Sequence, residues 1–471
     1  MKKKENKHPN QQNSDYLYGQ SPSLRFFATT SKGLEETLQE ELSEIFDSLK
    51  IKHHIWKGSA GCYVESPWSG AVSANLASMC ASRVLLVLLE KQIDTEEDLY
   101  YVCREINWSD LFDKQKTFAV NASINHTFID NSMFLALKIK DAICDHFRDE
   151  FGSRPNVDTE NPDVRIFVRL VQKKLSISID TTGEPLSQRG YRTKTVEAPL
   201  KETLAASLLR MSGWNSLANS IWNTSSAVYF TDKEIKILKK QGLPVKEQLL
   251  SPFLLDPMCG SGTFAIEAAL ALLHWKPNAH RNHFAFFNLL PELERDLKAL
   301  TKDIRNKILA NEKSMTNLIL VIRNYAIQNK IEFDANSVYS IIASDLSEEN
   351  LETAKECAKN AGVSKIIGFK KLNAFVSKPH ASVGLCLVNP PYGERLNENT
   401  DLEPFYKSLG DLWKQDFPNW TAWLISGNEE FAKKVGLKPT RKISVYNGSI
   451  PCKFFQYVLY PRNSKNSNPS S

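Results

Sequence analysis

The 471-residue sequence lacks the features that mark membrane-spanning, secreted or zinc-binding proteins. No uncharged apolar run reaches the roughly 18 to 20 residues that a transmembrane helix needs. No apolar segment follows the lysine-rich start, so a secretory signal peptide is not predicted. The eight cysteines are scattered without a CxxC pair, which argues against a zinc site or a disulfide framework. We therefore expect a cytoplasmic protein without a metal ion.

Composition and charge are those of an ordinary globular protein with several domains. Hydrophobic residues make up 42% and charged residues 24% of the chain, which suffices for a packed core in each domain. A length of 471 residues predicts two or three domains. The formal net charge of +5 permits a polyanionic partner without requiring one.

Two polar ends and two structured parts are predicted along the chain. Residues 1–23 are rich in lysine and residues 463–471 are rich in Asn and Ser, so both ends are predicted to be disordered. Residues 24–183 mix strands and helices without regular alternation, which indicates an α+β region. Within this region, the apolar content of residues 71–89 predicts one helix.

The second part, residues 184–462, alternates between buried strands and helices. This pattern is typical of the doubly wound parallel sheet of an α/β domain. Strands are predicted at 253–256, 340–345, 383–388 and 421–426, with a closing hairpin at 441–446 and 452–460. A charged stretch at 277–338 interrupts the alternation and is predicted to be an insertion or an extended crossover.

A glycine-containing turn after the first strand of this sheet predicts a ligand site. The strand ends at Asp256, the turn contains Pro257, Gly260 and Gly262, and a helix follows. The glycines let the backbone approach a ligand closely, and the helix offers free N–H groups. Neither GxGxxG nor a P-loop is present, and the Asp256 carboxylate would repel a phosphate. The turn suits a ligand with a positive charge and a carboxylate, such as a sulfonium amino acid.

Asp345 ends the next predicted strand and is a candidate for binding a nucleoside. At this position a carboxylate can accept hydrogen bonds from both ribose hydroxyls. The distance from Asp256 in sequence is far larger than the roughly 20 residues of a minimal βαβ unit, so residues 277–338 must loop out. The alternative is an Asp that caps the helix beginning near Ser347.

The segment Asn389-Pro390-Pro391-Tyr392 follows the predicted strand 383–388 and is the third candidate. Its two prolines fix the backbone and remove two N–H donors. The Asn389 side-chain oxygen and the Pro390 carbonyl can then accept the two hydrogen bonds of an exocyclic NH2 group. Tyr392 offers a ring on which the base can stack. Alone, such a segment could equally be a simple turn.

The three candidate segments are predicted to share one edge of the sheet, because open α/β sheets bind ligands at the carboxyl ends of their strands. The predicted reaction is an in-line displacement in which an amino nitrogen attacks the methyl carbon of a sulfonium. Positioning and desolvation would supply most of the rate. No strong base is needed if the proton leaves after the nitrogen has become cationic.

The order of short motifs along residues 24–461 resembles that of the bacterial THUMP-domain class I RNA methyltransferases, in particular those that methylate guanine N2 of 23S ribosomal RNA. The motifs that carry the resemblance are Gly33-Leu34-Glu35-Glu36, Ala81-Ser82-Arg83, Asn161-Pro162-Asp163, Arg189-Gly190-Tyr191-Arg192, Ala198-Pro199-Leu200-Lys201-Glu202, Asn389-Pro390-Pro391-Tyr392 and Ser426-Gly427-Asn428.

The resemblance implies a domain order, a cofactor and a partner. A ferredoxin-like part would occupy residues 24–70, a THUMP RNA-binding domain residues 71–183, and a Rossmann-like class I methyltransferase domain residues 184–462. The cofactor would be S-adenosyl-L-methionine, and the partner 23S ribosomal RNA or a large-subunit precursor. Longer relatives carry a second fused methyltransferase domain, so a single activity is expected here.

The resemblance also implies roles for individual residues. Those expected to bind the cofactor are Asp256, Pro257, Gly260, Gly262, Asp345 and Asn373. Those expected to hold the target base are Asn389, Pro390 and Tyr392. Candidates for RNA contact are Lys138, Lys140, Arg165, Arg189 and Arg192, although a solvated surface charge is the commoner role of any one such residue.

Several alternatives stay open at this point. Methylation of adenine N6 or cytosine N4 in DNA, or of glutamine in protein, would use the Asn389–Tyr392 segment equally well. Transfer RNA is an alternative substrate for guanine-N2 methylation. A non-catalytic RNA-binding protein with a methyltransferase fold is an alternative of another class, and the intact candidate site argues against it.

Overall fold

The computed structural model describes residues 24–192, 200–223, 253–314, 316–318, 340–379, 383–390 and 402–461. The two ends predicted to be disordered, 1–23 and 463–471, lie outside these residues. The chain divides into two compact units. Of the described residues, unit 1 contains 24–30, 34–187 and 276–310, and unit 2 contains 31–33, 188–275 and those from 311 onward.

Strands and helices are numbered in chain order over the described residues. The strands are β1 (Leu24–Thr29), β2 (His54–Gly58), β3 (Gly61–Ser66), β4 (Arg83–Gln92), β5 (Phe118–Asn125), β6 (Val164–Val171), β7 (Lys174–Asp180), β8 (Leu254–Asp256), β9 (Ile341–Asp345), β10 (Ile367–Lys371), β11 (Gly384–Val388), β12 (Trp420–Ser426), β13 (Arg441–Asn447) and β14 (Ile450–Val458). The α-helices are α1 (Glu35–Ser48), α2 (Trp68–Ala77), α3 (Glu96–Arg104), α4 (Ser132–Phe151), α5 (Glu202–Met211), α6 (Trp214–Asn223), α7 (Thr263–Leu272), α8 (Glu294–Leu309), α9 (Glu348–Asn360), α10 (Glu403–Asp416) and α11 (Glu429–Lys433).

Unit 1 is built on a seven-stranded mixed sheet with the order β2-β3-β1-β4-β7-β6-β5. Its neighbouring strands are antiparallel except β5 and β6, which run parallel. Residues alternate between the two faces of each strand. One face carries the core, in which apolar side chains of the strands pack with those of α1, α2, α4 and α8. All ten residues of α2 are buried, which fits a helix that carries no charged residue.

Residues 276–310 fold with unit 1 although the sequence on both sides of them belongs to unit 2. Phe284, Phe286 and Leu300 lie in the core of unit 1. The backbone N–H of Phe286 donates a 3.0 Å hydrogen bond to the carbonyl of Thr181. The first half of the stretch predicted as an insertion therefore completes the core of another unit.

The single helix predicted over residues 71–89 is wrong. Helix α2 ends at Ala77, and Arg83–Gln92 forms β4, which pairs with β1 on one side and β7 on the other. The apolar run in β4 has no polar alternation at its start because the consecutive residues Val84, Leu85 and Leu86 are all buried. Periodicity alone cannot distinguish such a strand from a buried helix.

Unit 2 contains the predicted parallel sheet, with the order β10-β9-β8-β11-β12-β14-β13. Strands β10, β9, β8, β11 and β12 are parallel, β14 is antiparallel to β12, and β13 is antiparallel to β14. The strand order reverses between β8 and β11, where open α/β sheets form their ligand crevice. The α/β prediction is therefore confirmed. In the described part of the chain, no helix is long and apolar enough to cross a membrane.

Candidate active site

The three predicted segments meet at one edge of the unit 2 sheet. Asp256 is the last residue of β8, Asp345 is the last residue of β9, and Asn389 directly follows β11. Strands β9, β8 and β11 are adjacent and parallel, so their carboxyl ends lie side by side. This edge includes the position at which the strand order reverses.

The glycine turn is bonded to the end of β9. The backbone N–H of Gly260 donates to Oδ2 of Asp345 at 2.9 Å, and the N–H of Cys259 donates to the carbonyl of Ser344 at 2.9 Å. Oδ1 of Asp345 accepts bonds from the Ser347 backbone N–H at 2.9 Å and from the Asn350 amide at 3.2 Å. The carboxylate therefore contacts the beginning of α9, as the capping alternative supposes.

These three bonds leave Asp345 with further capacity as an acceptor. A carboxylate offers about four lone-pair positions, and Oδ2 uses only one of its two for Gly260. The cap of α9 is itself supplied by Ser347, whose hydroxyl accepts from the backbone N–H of Asn350. Asp345 can thus organise the turn and still bind a ligand hydroxyl.

The backbone conformation favours glycine at both positions of the turn. Gly260 and Gly262 have φ angles of +52° and +77°, a region that disfavours L side chains. A Cβ atom on Gly262 would also lie 3.0 Å from Cβ of Ala354 on α9. A Cβ atom on Gly260 would meet no protein atom within 4 Å, so the turn is open on that side.

Asp256 is a buried carboxyl group with an unusual pKa. Its side chain is 1% exposed, and burial raises its pKa to about 8. A hydrogen bond from the Met258 backbone N–H lowers the pKa, whereas the negative charge of Asp345 raises it. A cationic ligand group beside Asp256 would stabilise the ionised form, because opposite charges attract strongly in a desolvated site.

Asn389 presents a buried acceptor without a partner among the described residues. Its Oδ1 atom is inaccessible to solvent and accepts no hydrogen bond there. A buried polar atom of this kind costs free energy unless a ligand satisfies it. Pro390 is buried beside it, whereas Tyr392 lies outside the described residues.

The edge also carries two exposed apolar side chains that the sequence interpretation missed. Leu346 directly follows β9 and is 68% exposed, and Val376 lies beyond β10 and is 57% exposed. Asn373 lies between the end of β10 and Val376 and is exposed. Its side-chain oxygen accepts a 3.0 Å hydrogen bond from the Phe375 backbone N–H. In the sequence, a large apolar residue directly after a predicted strand, such as Leu346, is the signal that could have indicated this surface.

The expectation that Arg189 contacts RNA is corrected by its burial. The Arg189 side chain is 0% exposed, and its Nε donates a 2.8 Å hydrogen bond to Oε1 of Glu267 on α7. The hydroxyl of Tyr191 donates to the same oxygen at 2.9 Å. An Arg enclosed in this way is a structural ion-pair partner, because a phosphate cannot reach it.

Arg192 is also directed inward. Its guanidinium bonds to Glu202 at 2.9 Å and to the hydroxyls of Ser261 and Thr263 at 3.1 Å each. Only 16% of its side chain is exposed. Arg192 therefore contacts the glycine turn, and its charge is paired with Glu202.

The other RNA candidates lie on two different faces of unit 1. Lys138 and Lys140 are on α4, which covers the core face, and Lys140 pairs with Asp141 at 2.5 Å. Arg165 is on the opposite face of β6, since Val164, Ile166 and Val168 point into the core. Arg169, which the sequence interpretation missed, lies on the same face as Arg165 and is exposed.

The eight cysteines are buried, and none of them forms a disulfide bond. In the part of the chain that the structure describes, no group of three or more His, Cys, Asp or Glu side chains is placed to hold a metal ion.

Three family descriptions match successive parts of the chain. Residues 25–85 match the RlmL ferredoxin-like domain, and residues 94–180 match the THUMP domain. Residues 249–456 match the family described as RMKL-like, methyltransferase domain. The predicted order of a ferredoxin-like domain, a THUMP domain and a methyltransferase domain is therefore confirmed.

Curated and solved proteins are similar over nearly the whole chain. Ribosomal RNA large subunit methyltransferase K/L of Shewanella sp. (strain W3-18-1) is 33% identical over 446 residues, which are 95% of this chain and 54% of that protein. The chain thus spans about half the length of the curated relatives it matches. The crystal structure of SMU.472 complexed with SAH superposes with a TM-score of 0.70 at 22% identity, covering 94% of this chain and all of that one. A possible methylase of Clostridium difficile 630 gives a TM-score of 0.68 at 26% identity, over 94% of this chain and all of that one.

Proposed function

Because successive parts of the chain match a THUMP domain and an RMKL-like methyltransferase domain, we propose that it transfers a methyl group from S-adenosyl-L-methionine to guanine N2 of 23S ribosomal RNA. The observation that carries the reaction type is the unpartnered, buried Oδ1 of Asn389 beside the turn that ends at Gly262. An acceptor in that place fits a donor NH2 group. Because it would act on ribosomal RNA and its cysteines form no disulfide bonds, the protein would work in the cytoplasm.

The residues at the edge fit this cofactor. S-adenosyl-L-methionine supplies, when bound, a methyl group on a positively charged sulfur. Asp256 would hold the cationic methionine moiety, and the turn through Gly260 would admit its backbone close by. Asp345 would accept one ribose hydroxyl with its remaining lone pair, and a second hydroxyl would displace the Asn350 amide.

The exposed apolar residues give the adenine ring a place to lie. Leu346 and Val376 follow adjacent parallel strands at the same edge as Asp345. Covering both would remove apolar area from water, at about 25 cal/mol per Å². Asn373 would lie near the adenine amino group, with its amide oxygen shared between that group and the Phe375 N–H.

The target amino group would be held by acceptors. Oδ1 of Asn389 and the carbonyl of Pro390 would each accept one N–H of the NH2 group, and Tyr392 would stack on the base. Two such bonds fix the nitrogen with its lone pair facing the methyl carbon. Holding reacting atoms in line in a water-excluded site provides most of the acceleration in such a displacement.

RNA would be bound in part by the open face of β6. Arg165, Phe167 and Arg169 alternate with core residues and share that face. Arginines pair with phosphates and an aromatic ring stacks with bases. These residues lie within the segment that matches the THUMP domain.

Nucleoside mass spectrometry of ribosomal RNA from cells with and without the protein tests the proposal. We expect N2-methylguanosine to fall in large-subunit RNA on deletion, and to return with the wild-type gene but not with Asn389→Ala. If ribosomal RNA is unchanged and transfer RNA loses the modification, the substrate is transfer RNA. If neither changes, the chain is a non-catalytic RNA-binding protein or acts on another amino group.

A further inference from the structure

Arg192 joins the glycine turn to the beginning of α5. Its guanidinium makes four hydrogen bonds: to Oε1 of Glu202 at 2.9 Å, to the carbonyl of Leu200 at 3.2 Å, and to the hydroxyls of Ser261 and Thr263 at 3.1 Å each. An arginine side chain has five N–H donors in a rigid fork, so four are satisfied by these bonds. Few arrangements of the turn can satisfy all four at once.

The two hydroxyls flank the residue at which the turn becomes a helix. Gly262 lies between Ser261 and Thr263 and takes the left-handed conformation at the beginning of α7. The side chains on both sides of it are buried, at 6% and 4% exposure. Because the guanidinium holds both neighbours of Gly262, it limits the rotation of the peptide groups that would face the cofactor.

We propose that Arg192 is a positioning residue that holds the cofactor-binding turn in its binding conformation through Ser261 and Thr263, while Glu202 orients the guanidinium. This inference rests on the proposed function, because it assumes that S-adenosyl-L-methionine binds at the turn. Arg192 does not need to touch the cofactor for this role. Its absence would let the turn sample conformations that bind the cofactor weakly.

Arg189 provides a matched control within the same segment. Both arginines pair with a buried glutamate of unit 2, but Arg189 bonds to Glu267 in the middle of α7 and has no described bond to the turn hydroxyls. A purely structural role would give the two residues the same phenotype. A positioning role predicts that only Arg192 variants change cofactor affinity in the folded protein.

The experiment is calorimetric titration of the full chain with S-adenosyl-L-methionine, together with KM and kcat on RNA substrate. If the wild type binds no cofactor, the proposed function fails and the inference loses its premise. If the wild type binds, we expect Arg192→Met to raise the Kd by about 10- to 100-fold, the effect of losing two charge-assisted bonds. The KM for the cofactor should rise with it, while kcat at saturating cofactor changes far less.

Conservative and reciprocal variants separate geometry from charge. Arg192→Lys keeps the charge but cannot bond both hydroxyls in the same way, so it should not restore affinity. The pair Ser261→Ala with Thr263→Val should weaken binding, and adding Arg192→Met to it should cost little more. Arg189→Met should lower the melting temperature. Its Kd should stay within about twofold of the wild type, well below the roughly tenfold or larger increase expected for Arg192→Met.

Two results would overturn the inference. One is an unchanged Kd in folded Arg192→Met or Arg192→Lys protein that retains its melting transition. The other is an equal loss of affinity in the Arg189 and Arg192 variants. If Arg192→Met fails to fold, the double variant Ser261→Ala with Thr263→Val tests the inference instead. Unchanged cofactor affinity in that variant would show that Arg192 does not act through the two hydroxyls.

Discussion

Gly260 and Asp345 lie 85 positions apart in sequence and are joined by a 2.9 Å hydrogen bond from the glycine N–H to the carboxylate. The bond connects the turn after β8 to the end of β9, so the two parts of the expected cofactor site form one structure. Between them in sequence, residues 276–310 fold with unit 1 and contribute to its core. The cofactor site therefore depends on contacts that are distant in sequence.

Asp345→Ala should remove both the ligand contact and the anchor of the turn. We expect the Kd for S-adenosyl-L-methionine to rise by at least about tenfold, and the free energy of unfolding to fall by about 1–3 kcal/mol, because bonds to a charged acceptor are lost. Calorimetry and thermal unfolding measure the two effects. Asp345→Asn, which keeps one carbonyl oxygen and the side-chain volume, should be more stable than the alanine variant. Unchanged cofactor affinity in Asp345→Ala would place the ribose elsewhere.

Asn389→Ala should separate catalysis from folding. The substitution removes an acceptor that has no described partner, so the melting temperature should stay within about 2 °C of the wild type or rise. Turnover should fall by at least about 100-fold, since the target nitrogen loses one of two positioning bonds, worth about 2.7 kcal/mol in the transition state. Single-turnover kinetics and calorimetry check this. A variant that loses cofactor binding and turnover equally would show that Asn389 belongs to the cofactor site.

The meeting of the three candidate segments at one edge of the sheet could be predicted from the sequence, because each segment has a local signal. A carboxylate at the end of a buried strand, two glycines before a helix and an Asn-Pro-Pro segment each identify a strand end, and parallel sheets bring strand ends together. The Arg189 and Arg192 contacts could not be predicted, because their partners on α7 and at its beginning are about 70 to 80 residues away in sequence. The sequence alone does not show whether a cationic side chain faces solvent or a buried carboxylate.

The fold was predictable where the hydrophobic pattern is distinct. Alternating strands and helices identified the unit 2 sheet, whereas residues 71–89 gave one apolar stretch that folds as a helix followed by a strand. The sequence of residues 276–310 does not indicate that they fold with unit 1, because the one apolar side of a helix such as α8 can pack against either core.

Arg165 and Arg169 should contribute to RNA affinity through phosphate contacts. Replacing both with Ala should reduce the slope of log K against log salt by about 1 to 2 for RNA, and weaken binding similarly across sequences. Fluorescence anisotropy at several salt concentrations measures this. Lys138→Ala is the control, because that lysine lies on the α4 side of unit 1. An equal change in slope for the Lys138 variant would mean that the open face of β6 is not the specific contact.

The ionisation of Asp256 should contribute affinity for S-adenosyl-L-methionine that increases with pH. Burial raises the pKa of this carboxyl to about 8, so near pH 7 only about one-tenth of the molecules carry the ionised form. A cationic ligand binds the ionised form better, so binding releases a proton below the pKa. The ionisation of Asp256 should by itself lower the Kd by about tenfold between pH 7 and pH 9, measured as the difference between the wild type and Asp256→Asn.

Asp256→Asn isolates this effect from the titration of the ligand itself. The amide has no proton to release, so the variant should bind more weakly at pH 9 and show only the pH dependence that comes from the ligand amino group. Calorimetry in buffers of different ionisation enthalpy counts the protons released by each protein. The wild type should release more protons than Asp256→Asn at pH 7, because its carboxyl must ionise on binding. If both proteins release the same number, Asp256 is already ionised or does not face the cofactor, and the cation would then be held by another group.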